Sequence, residues 1–179
     1  YAYFDIIIAN NVFAHIDNLK LVFNLLKKIM HQKTIIVIEF SYLLDVIKKS
    51  LFDTIYHEHL DYHSIKPFNH FLNSLNLKIT NIKKLDIHGG SLRLYVTKKN
   101  NGLIVNTKKI NKLLQEEEKY GLYKKSTYKN FIKDLYNQKK NLRSFFTKYK
   151  NHKIYGYGAP AKAVTLINYF KLNHKNINL

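Results

Sequence analysis

Hydrophobic and polar positions follow two alternating patterns in the first part of the chain. A continuous apolar run from Phe4 to Ala9 has the length and composition of a strand buried on both faces of a parallel sheet. Residues 18–30 place apolar side chains at helical spacing, and Thr34 to Phe40 is a second strand-like run. This order of strand, helix and strand predicts a right-handed crossover in a parallel sheet, the repeating unit of a doubly wound α/β domain.

The following segments predict the rest of this domain. Their patterns indicate helices over residues 43–49 and 67–75 and strands over residues 77–85 and 92–97. The second helix starts at a proline, with Ser64 in the position of its cap. We expect the two strands to pair antiparallel at the edge of the sheet. The turn at Asn100-Asn101-Gly102 then separates a domain over residues 1–99 from the remainder.

The remainder, residues 103–179, has a different pattern. Residues 107–150 are highly charged and contain few turn formers, which predicts two helices broken near Gly121. The last part predicts a strand over residues 153–157, a turn over 158–162 and a helix over 163–170. This order indicates the start of a second α/β domain. Because the chain begins at a strand and stops early in this second unit, we expect it to be an internal part of a longer protein.

Charge and composition narrow the class of protein. The net charge of +18 suggests a nucleic-acid-binding module, yet only Arg93 and Arg143 of the 30 basic residues are arginine. The lysines are scattered in ones and twos, as is typical of a solvated surface, so binding to nucleic acid is kept only as an alternative. The absence of cysteine excludes disulfides and thiolate zinc sites within the chain. No secretory signal is visible, and the apolar runs are far shorter than the roughly 20 residues of a membrane helix, so we expect a cytoplasmic protein.

Residues 52–62 are the leading candidate for an active site. They contain two histidines, one glutamate, two aspartates and two tyrosines between hydrophobic segments. If Tyr56, Glu58 and His59 line one pocket, Glu58 can hold the imidazole in one tautomer while Tyr56 donates to a developing oxyanion. This arrangement suits proton abstraction beside a carbonyl group. The alternative is a polar loop whose histidines bond to backbone carbonyls, and the spacing alone does not separate the two.

The same histidines also raise the alternative of a metal-dependent hydrolase. His57, His59 and His63 have ligand-like spacings of two and four residues. The zinc-protease pattern His-Glu-x-x-His, however, needs a histidine where the chain has Asp61. We therefore predict no bound metal here.

Three more segments have the composition of binding sites. They are Asn10-Asn11-Val12-Phe13-Ala14-His15-Ile16, His88-Gly89-Gly90-Ser91-Leu92-Arg93 and Gly156-Tyr157-Gly158-Ala159-Pro160-Ala161-Lys162. The first follows a strand of the predicted parallel sheet, where such sheets bind ligands. The others offer glycines for close backbone approach together with cationic side chains. Asparagine caps, a Gly-Gly hairpin turn and a ligand-free strand-to-helix turn are the respective structural alternatives.

Taken together, these segments resemble the S-adenosylmethionine-dependent sugar C-methyltransferase family, whose members add a methyl carbon to nucleotide-linked keto-deoxysugars, typically at C3. The order and spacing of residues 9–15, 52–59, 88–93 and 156–162 match as well. The resemblance implies the C-terminal half of a Rossmann-like class I methyltransferase domain, then helices and the start of a second α/β domain. It also implies that the glycine-rich cofactor loop and a cysteine-rich zinc module lie upstream, so that this chain alone is inactive.

The resemblance implies a role for particular residues. His59 is the base that removes the proton alpha to the 4-keto group, and Tyr56 and Glu58 orient the base and the sugar. The residues that lie along the cofactor are Asn10, Asn11, Val12 and His15. The residues that face the nucleotide-sugar are His88, Gly89, Gly90, Ser91 and Arg93, with Gly158, Ala159 and Lys162 on its diphosphate or nucleotide. Ala163 stands where the family pattern has glycine, and His57 has no role.

Overall fold

The computed structural model of the chain describes residues 3–178 as a mixed α/β structure. The elements are β1 (Phe4–Asn10), α1 (Leu19–Ile29), β2 (Met30–Ser41), α2 (Leu43–Lys48), α3 (Ile65–Ser74), β3 (Leu77–Leu85), β4 (Ser91–Lys98), α4 (Thr107–Tyr120), α5 (Lys125–Lys148) and α6 (Ala161–Phe170). Two short 3-10 helices, Phe13–His15 and Phe52–Thr54, lie in the loops after β1 and α2. Over this described range, no helix is both long and apolar enough to cross a membrane.

The four strands form one sheet in the order β1-β2-β4-β3. β1 pairs parallel with β2, and α1 connects them, as the crossover pattern predicts. β3 and β4 pair antiparallel, which is also predicted. This pair lies at one edge of the sheet, as expected, with β3 outermost and β4 antiparallel to β2. The mixed α/β class is therefore confirmed for the described chain.

The first strand is less buried than its apolar run predicts. Ile6 and Ile8 are 60% and 66% exposed, while Ile7 between them is half-buried. Among residues 3–178, β1 pairs with β2 alone. The prediction of burial on both faces is wrong for these residues, because in the described structure the face that carries Ile6 and Ile8 is not covered by another element.

Aromatic packing fills the core between the sheet and the first helices. Phe13 stacks on Phe23 of α1 with 5.0 Å between ring centroids, and both rings are fully buried. Phe68 of α3 lies edge-on to both of them and 5.2 Å from Phe40 of β2. This cluster fixes the loop after β1 against α3, next to residues 52–62, which we call the histidine-rich segment.

Helix α3 begins at Ile65, two residues before the predicted start, and is capped from another part of the chain. Ser64 stands at the N-cap position but makes no side-chain cap hydrogen bond. The backbone amides of Ile65 and Lys66 instead donate to the carboxylate of Glu117 at 2.7 Å and 3.2 Å. A negative charge at a helix N-terminus is stabilised by the helix dipole.

The same carboxylate is fully buried and accepts two further hydrogen bonds. The hydroxyl of Tyr42 donates to one oxygen at 2.9 Å, and the hydroxyl of Tyr123 donates to the other. Burial raises the pKa of both tyrosines, and Glu117 raises it further, so each hydroxyl keeps its proton and remains a donor. Glu117 thereby joins the turn before α2, the start of α3 and the segment after α4.

The predicted break between the two long helices is confirmed at Gly121. Its φ of +73° is in the left-handed region, and the following amide, that of Leu122, donates to the carbonyl of Glu117 at 3.0 Å. This is the usual way in which a glycine ends a helix. Leu122 is then fully buried, which directs the chain back toward the core before α5 begins.

The predicted strand over residues 153–157 does not form. Only an isolated bridge joins Tyr155 to Asn178, where the Asn178 amide donates to the carbonyl of Ile154 at 2.7 Å. A strand needs a partner along its length, and the described chain supplies one only at this point. The following helix α6 begins at Ala161 and not at Ala163, so Lys162 belongs to its first turn.

Replacing Glu117 by alanine is expected to lower the free energy of unfolding by about 3 kcal/mol, because the Tyr42 hydroxyl and two helix amides lose their buried acceptor. Glu118→Ala is the matched control. It removes an exposed carboxylate that pairs with Lys66, and should change this free energy by less than about 1 kcal/mol. Urea denaturation of both variants measures the difference. Equal effects would show that Glu117 acts only as one of several surface charges.

Candidate active site

The histidine-rich segment is a loop that closes on the backbone of Thr54. The carbonyl of Thr54 accepts hydrogen bonds from His59 Nδ1 at 2.8 Å and from the Tyr62 hydroxyl at 2.6 Å. The Thr54 side chain is buried and donates to the carbonyl of Leu51 at 2.8 Å. The short 3-10 helix Phe52–Thr54 therefore provides a fixed carbonyl around which the loop folds.

These contacts determine the tautomer of His59. A carbonyl oxygen can only accept, so Nδ1 carries the proton and the neutral ring presents an unprotonated Nε2. Nε2 lies 3.3 Å from the hydroxyl of Tyr56, which is its donor, and the two ring centroids are 4.4 Å apart. The structural alternative from the sequence holds for Nδ1, which bonds to a backbone carbonyl, and the role of Nε2 as a base stays a prediction.

The surroundings of His59 favour its neutral form. Burial lowers the pKa of the imidazole, and the nearby charges of His15 and Lys162 lower it further. The hydrogen bond to Thr54 and the charge of Glu58 oppose this effect, but the net direction is downward. At neutral pH the ring is therefore mostly unprotonated, which is the state that a general base needs.

The loop after β1 lies against the histidine-rich segment. His15 Nδ1 donates to the carbonyl of Glu58 at 2.8 Å, and the amide of Leu60 donates to the carbonyl of Ala14 at 2.8 Å. The centroids of the His15 and His59 rings are 5.0 Å apart. His15, expected on the cofactor side, is therefore a direct neighbour of the expected base.

The other predicted cofactor residues lie at the C-terminal end of β1. Asn10, Asn11 and Val12 are all exposed. Asn11 has a left-handed φ of +53°, and its amide donates at 2.8 Å to the carbonyl of Glu39, at the end of the neighbouring strand. The chain thus turns away from the sheet with two free side-chain amides and an apolar side chain facing solvent.

Glu58 does not hold the imidazole of His59. That position is occupied by the carbonyl of Thr54, while the Glu58 carboxylate is 4.0 Å from Nε2 of His57, and both of these side chains are exposed. The predicted tautomer-fixing contact is wrong because a carbonyl five residues back in the chain reaches Nδ1 first. The predicted catalytic role of Glu58 has no contact with the base to support it and stays a prediction.

The three histidines of the metal alternative point in different directions. His57 has an 88% exposed side chain, whereas His63 is buried between Phe40 and Phe68, at 4.9 Å and 5.1 Å between ring centroids. Within residues 3–178, no group of three histidine, aspartate or glutamate side chains could hold a metal ion. The hydrolase alternative therefore loses its structural basis in the described chain.

The glycines between β3 and β4 have a structural explanation. Gly89 and Gly90 have φ values of +83° and +132°. A Cβ atom on Gly90 would lie 2.3 Å from Oδ2 and 2.7 Å from Cβ of the buried Asp45. The turn thus needs glycine for both its backbone conformation and its close packing, as the hairpin alternative proposes.

The neighbours of these glycines differ in accessibility. His88 is exposed, but Ser91 is fully buried and donates to the carbonyl of Ile87 at 3.2 Å. Arg93 binds the buried carboxylate of Glu39 through Nε and a terminal nitrogen, at 2.9 Å and 2.7 Å. Of the predicted substrate residues in this segment, His88 and Gly89 are therefore the most accessible to a ligand.

The start of α6 approaches the histidine-rich loop from the C-terminal side of the chain. Phe52 packs on Tyr169 and Phe170 of α6, at 5.0 Å and 5.2 Å between ring centroids, and the Thr165 hydroxyl donates to the carbonyl of Ile55. Lys162 thereby lies close enough to influence the pKa of His59. Gly158, with a φ of +88°, and Ala159 are exposed in the loop before this helix.

Two residues of the site were not assigned a role from the sequence. Tyr62 belongs to the histidine-rich segment, but nothing in its spacing shows that its hydroxyl binds the same carbonyl as His59. Thr54 contributes a backbone oxygen, which no side-chain pattern can indicate. Both residues lie within the segment 52–62, so the sequence indicates their neighbourhood but not their contacts.

Fold and site together define an α/β chain in which a histidine of fixed tautomer lies beside the C-terminal end of a parallel strand. The chain matches the family model for the C-methyltransferase C-terminal domain over residues 86–179, more than half of its length. It belongs to this C-methyltransferase family, as the resemblance from sequence implies. The match begins before the predicted domain boundary at residues 100–102, and that boundary stays a prediction.

A curated relative extends the similarity over most of the chain. C-methyltransferase NovU from Streptomyces niveus is 26% identical over 167 residues. The aligned part is 92% of this chain but 40% of NovU, so the chain spans about two fifths of the relative's length. The alignment therefore extends beyond the residues that the family model matches. It reaches into the part of the chain that carries the histidine-rich segment.

Replacing Lys162 by glutamine is expected to raise the pKa of His59, because it removes a positive charge that disfavours the imidazolium form. Lys153→Gln, in the exposed loop before α6, is the control with the same change in net charge. Titration of the His59 ring by NMR measures the effect. Equal responses in the two variants would mean that Lys162 acts only through the overall charge of the chain.

Gly90→Ala is expected to lower the free energy of unfolding by about 3 kcal/mol, because the new methyl group meets the buried Asp45 and the backbone φ becomes strained. Gly102→Ala separates these causes. Its φ of +74° is also left-handed, but nothing lies within 4 Å of the added Cβ, so the expected loss is about 1 kcal/mol. Thermal or urea unfolding of both variants provides the comparison. Equal losses in the free energy of unfolding would show that the close packing of Gly90 against Asp45 does not contribute to stability.

Proposed function

We propose that this chain forms part of an S-adenosylmethionine-dependent C-methyltransferase that acts on a nucleotide-activated 4-keto-deoxysugar, with His59 as the base. The observation that carries the proposal is the state of the His59 ring. Its Nδ1 is held by a backbone carbonyl, its Nε2 is unprotonated, and its pKa is lowered by burial. Membership of the C-methyltransferase family supports the reaction type.

The residues at the end of β1 fit the proposed cofactor. Asn10 and Asn11 offer side-chain amides that suit the hydroxyls and ring nitrogens of a nucleoside, and the exposed Val12 offers an apolar surface for a ring. Ligands of doubly wound sheets bind outside the carboxyl ends of the strands, which is where these residues lie. When bound, S-adenosylmethionine supplies an electrophilic methyl carbon.

The chemistry that this chain contributes is proton removal. Nε2 of His59 takes the proton from the carbon alpha to the sugar ketone, and the electron pair of the broken C–H bond moves onto the ketone oxygen as an enolate. The positive charge on the resulting imidazolium is stabilised through the Nδ1 hydrogen bond to Thr54. Tyr56, released from its contact with Nε2, can then donate a hydrogen bond to the enolate oxygen while keeping its proton.

Accessible residues around the base are suited to an anionic sugar substrate. Lys162 in the first turn of α6 is a cation near His59, and Gly158 and Ala159 expose the backbone just before it. These residues are the proposed contacts of the diphosphate. His88 and Gly89 are proposed contacts of the sugar, whereas Gly90, Ser91 and Arg93 act by holding the turn that presents them.

In the full-length protein that carries this chain, His59→Ala is expected to reduce methyl transfer by about a hundredfold or more, because the proposed proton acceptor is removed. His57→Ala is the control, since this exposed histidine lies outside the described contacts of the base and should leave turnover unchanged. Equilibrium binding of S-adenosylmethionine should stay the same in both variants.

A second readout isolates the proton transfer from the methyl transfer. With the keto-sugar in heavy water and no methyl donor, the unaltered protein should exchange the alpha proton for deuterium, and the His59→Ala protein should not. Exchange at the unaltered rate in His59→Ala would remove His59 as the base while leaving the methyltransferase assignment open. Loss of cofactor binding in the same variant would instead show a structural role.

A further inference from the structure

The negative charges of the chain are unevenly distributed. All 12 aspartates and glutamates lie at or before Asp134, and the last 45 residues contain none. An even distribution would place about three of them there. The same 45 residues carry eight lysines and Arg143, one of the two arginines in the chain. A bias toward lysine in the composition explains the cations, but it does not explain the absence of acids beside them.

The structure gathers these cations along one groove. The C-terminal half of α5 and the end of α6 line a surface cavity of about 740 Å³. Its charged lining residues are all basic: Lys139, Lys140, Arg143, Lys148 and Lys171. Cations held together in this way repel one another, and an anion bound among them removes that repulsion.

Several of these cations have no anionic partner. Lys139 donates to the carbonyl of Tyr169 at 2.8 Å, and Lys148 lies over the ring of Tyr149. Over residues 3–178, none of the salt bridges includes a cation beyond Arg93. Lys140, Arg143 and Lys171 are therefore available for a ligand, and the planar guanidinium of Arg143 can bind a phosphate through two nitrogens.

A second cavity of about 440 Å³ adjoins the first and shares Arg143, Thr147 and Lys171 with it. Its lining adds the aromatic rings of Phe146 and Tyr149, two asparagine side chains and two more lysines, Lys150 and Lys175. Sites of a few hundred Å³ that combine apolar rings with a few polar groups are typical of small-molecule binding. Cations beside aromatic rings suit a ligand that has both phosphates and a ring.

This groove is separate from the candidate active site. Lys162 lies near His59 at the start of α6, whereas Lys171 follows the end of the same helix. The two lysines are nine positions apart, which along a helix corresponds to about 14 Å.

We propose that the groove between α5 and the end of α6 binds a small phosphorylated ligand with at least two negative charges, at a site distinct from that of His59. The shared chemistry is a pair of phosphates, which can come from a free diphosphate or from a nucleotide. This proposal does not rest on the proposed methyl transfer, so either proposal can be wrong while the other is correct.

The test uses the 179-residue chain at about 150 mM salt, with inorganic pyrophosphate and adenosine diphosphate as probes in calorimetric titrations. Saturable binding is expected for pyrophosphate, and tighter binding of adenosine diphosphate would assign its ring to the adjoining cavity. Lys140→Gln/Arg143→Gln should weaken pyrophosphate binding by about tenfold or more. Lys129→Gln/Lys133→Gln, at exposed positions elsewhere on α5, should change it by less than about twofold.

Two further variants and a measurement of stability separate a loss of ligand contacts from a loss of folding. Arg143→Lys keeps the charge but loses the two-nitrogen contact, so it should weaken binding by less than the double variant. Lys162→Gln, which removes the cation proposed to contact the diphosphate near His59, should change pyrophosphate binding by less than about twofold, which would separate this site from the proposed active site. The midpoint of thermal unfolding, measured for every variant without ligand, shows which of them are folded.

Specific outcomes would overturn the proposal. Equal weakening in the two double variants would show that only net charge matters, and no saturable binding of either probe up to about 10 mM would remove the site. A single-stranded oligonucleotide of 12 bases is the third probe. If it binds more than about tenfold tighter than adenosine diphosphate and responds equally to both double variants, the basic surface is a nucleic-acid surface instead.

Discussion

The described structure depends on one buried charge, the carboxylate of Glu117. It accepts hydrogen bonds from the Tyr42 hydroxyl, which precedes α2, and from the first amides of α3. The histidine-rich segment lies between α2 and α3 in the chain, so both ends of this segment are held from the same side chain. Since α4 supplies that side chain, the part of the chain that carries His59 keeps its shape only while α4 stays packed against it.

A carboxylate can remain charged in such a position only if its hydrogen-bonding capacity is filled. Glu117 meets this condition with two hydroxyl donors and two amide donors, and the amides belong to a helix N-terminus, where a negative charge is favoured. The arrangement also favours one way of packing these elements over others. A glutamate in this place fixes which helix start and which tyrosines must meet, whereas an apolar residue would pack against several arrangements equally well.

The sequence predicts the local elements of this fold better than the contacts between them. The parallel β1–β2 pair, the β3–β4 pair and the break at Gly121 follow from apolar periodicity and glycine, which act over short distances. Glu117, in contrast, stands in a run of three glutamates that resembles a solvated helix face, and its partners lie 52 and 75 residues away. The failed strand over residues 153–157 has the same origin, because a strand exists only with a partner and the partner is a long-range property.

In the candidate site, too, the sequence indicates which residue types are present but not which atoms they contact. Composition alone identifies the segment with His59, but the expected partner of its Nδ1, the carboxylate of Glu58, is not the one the fold provides. The difference has a chemical consequence. A carboxylate at Nδ1 would favour the charged ring and raise its pKa, whereas the neutral carbonyl of Thr54 fixes the tautomer with a weaker effect on the charge. Burial then dominates and lowers the pKa, so the fold combines a fixed ring with an unprotonated Nε2 at neutral pH. Orientation and basicity are thus set by different groups, which lets the chain hold the imidazole rigidly without protonating it.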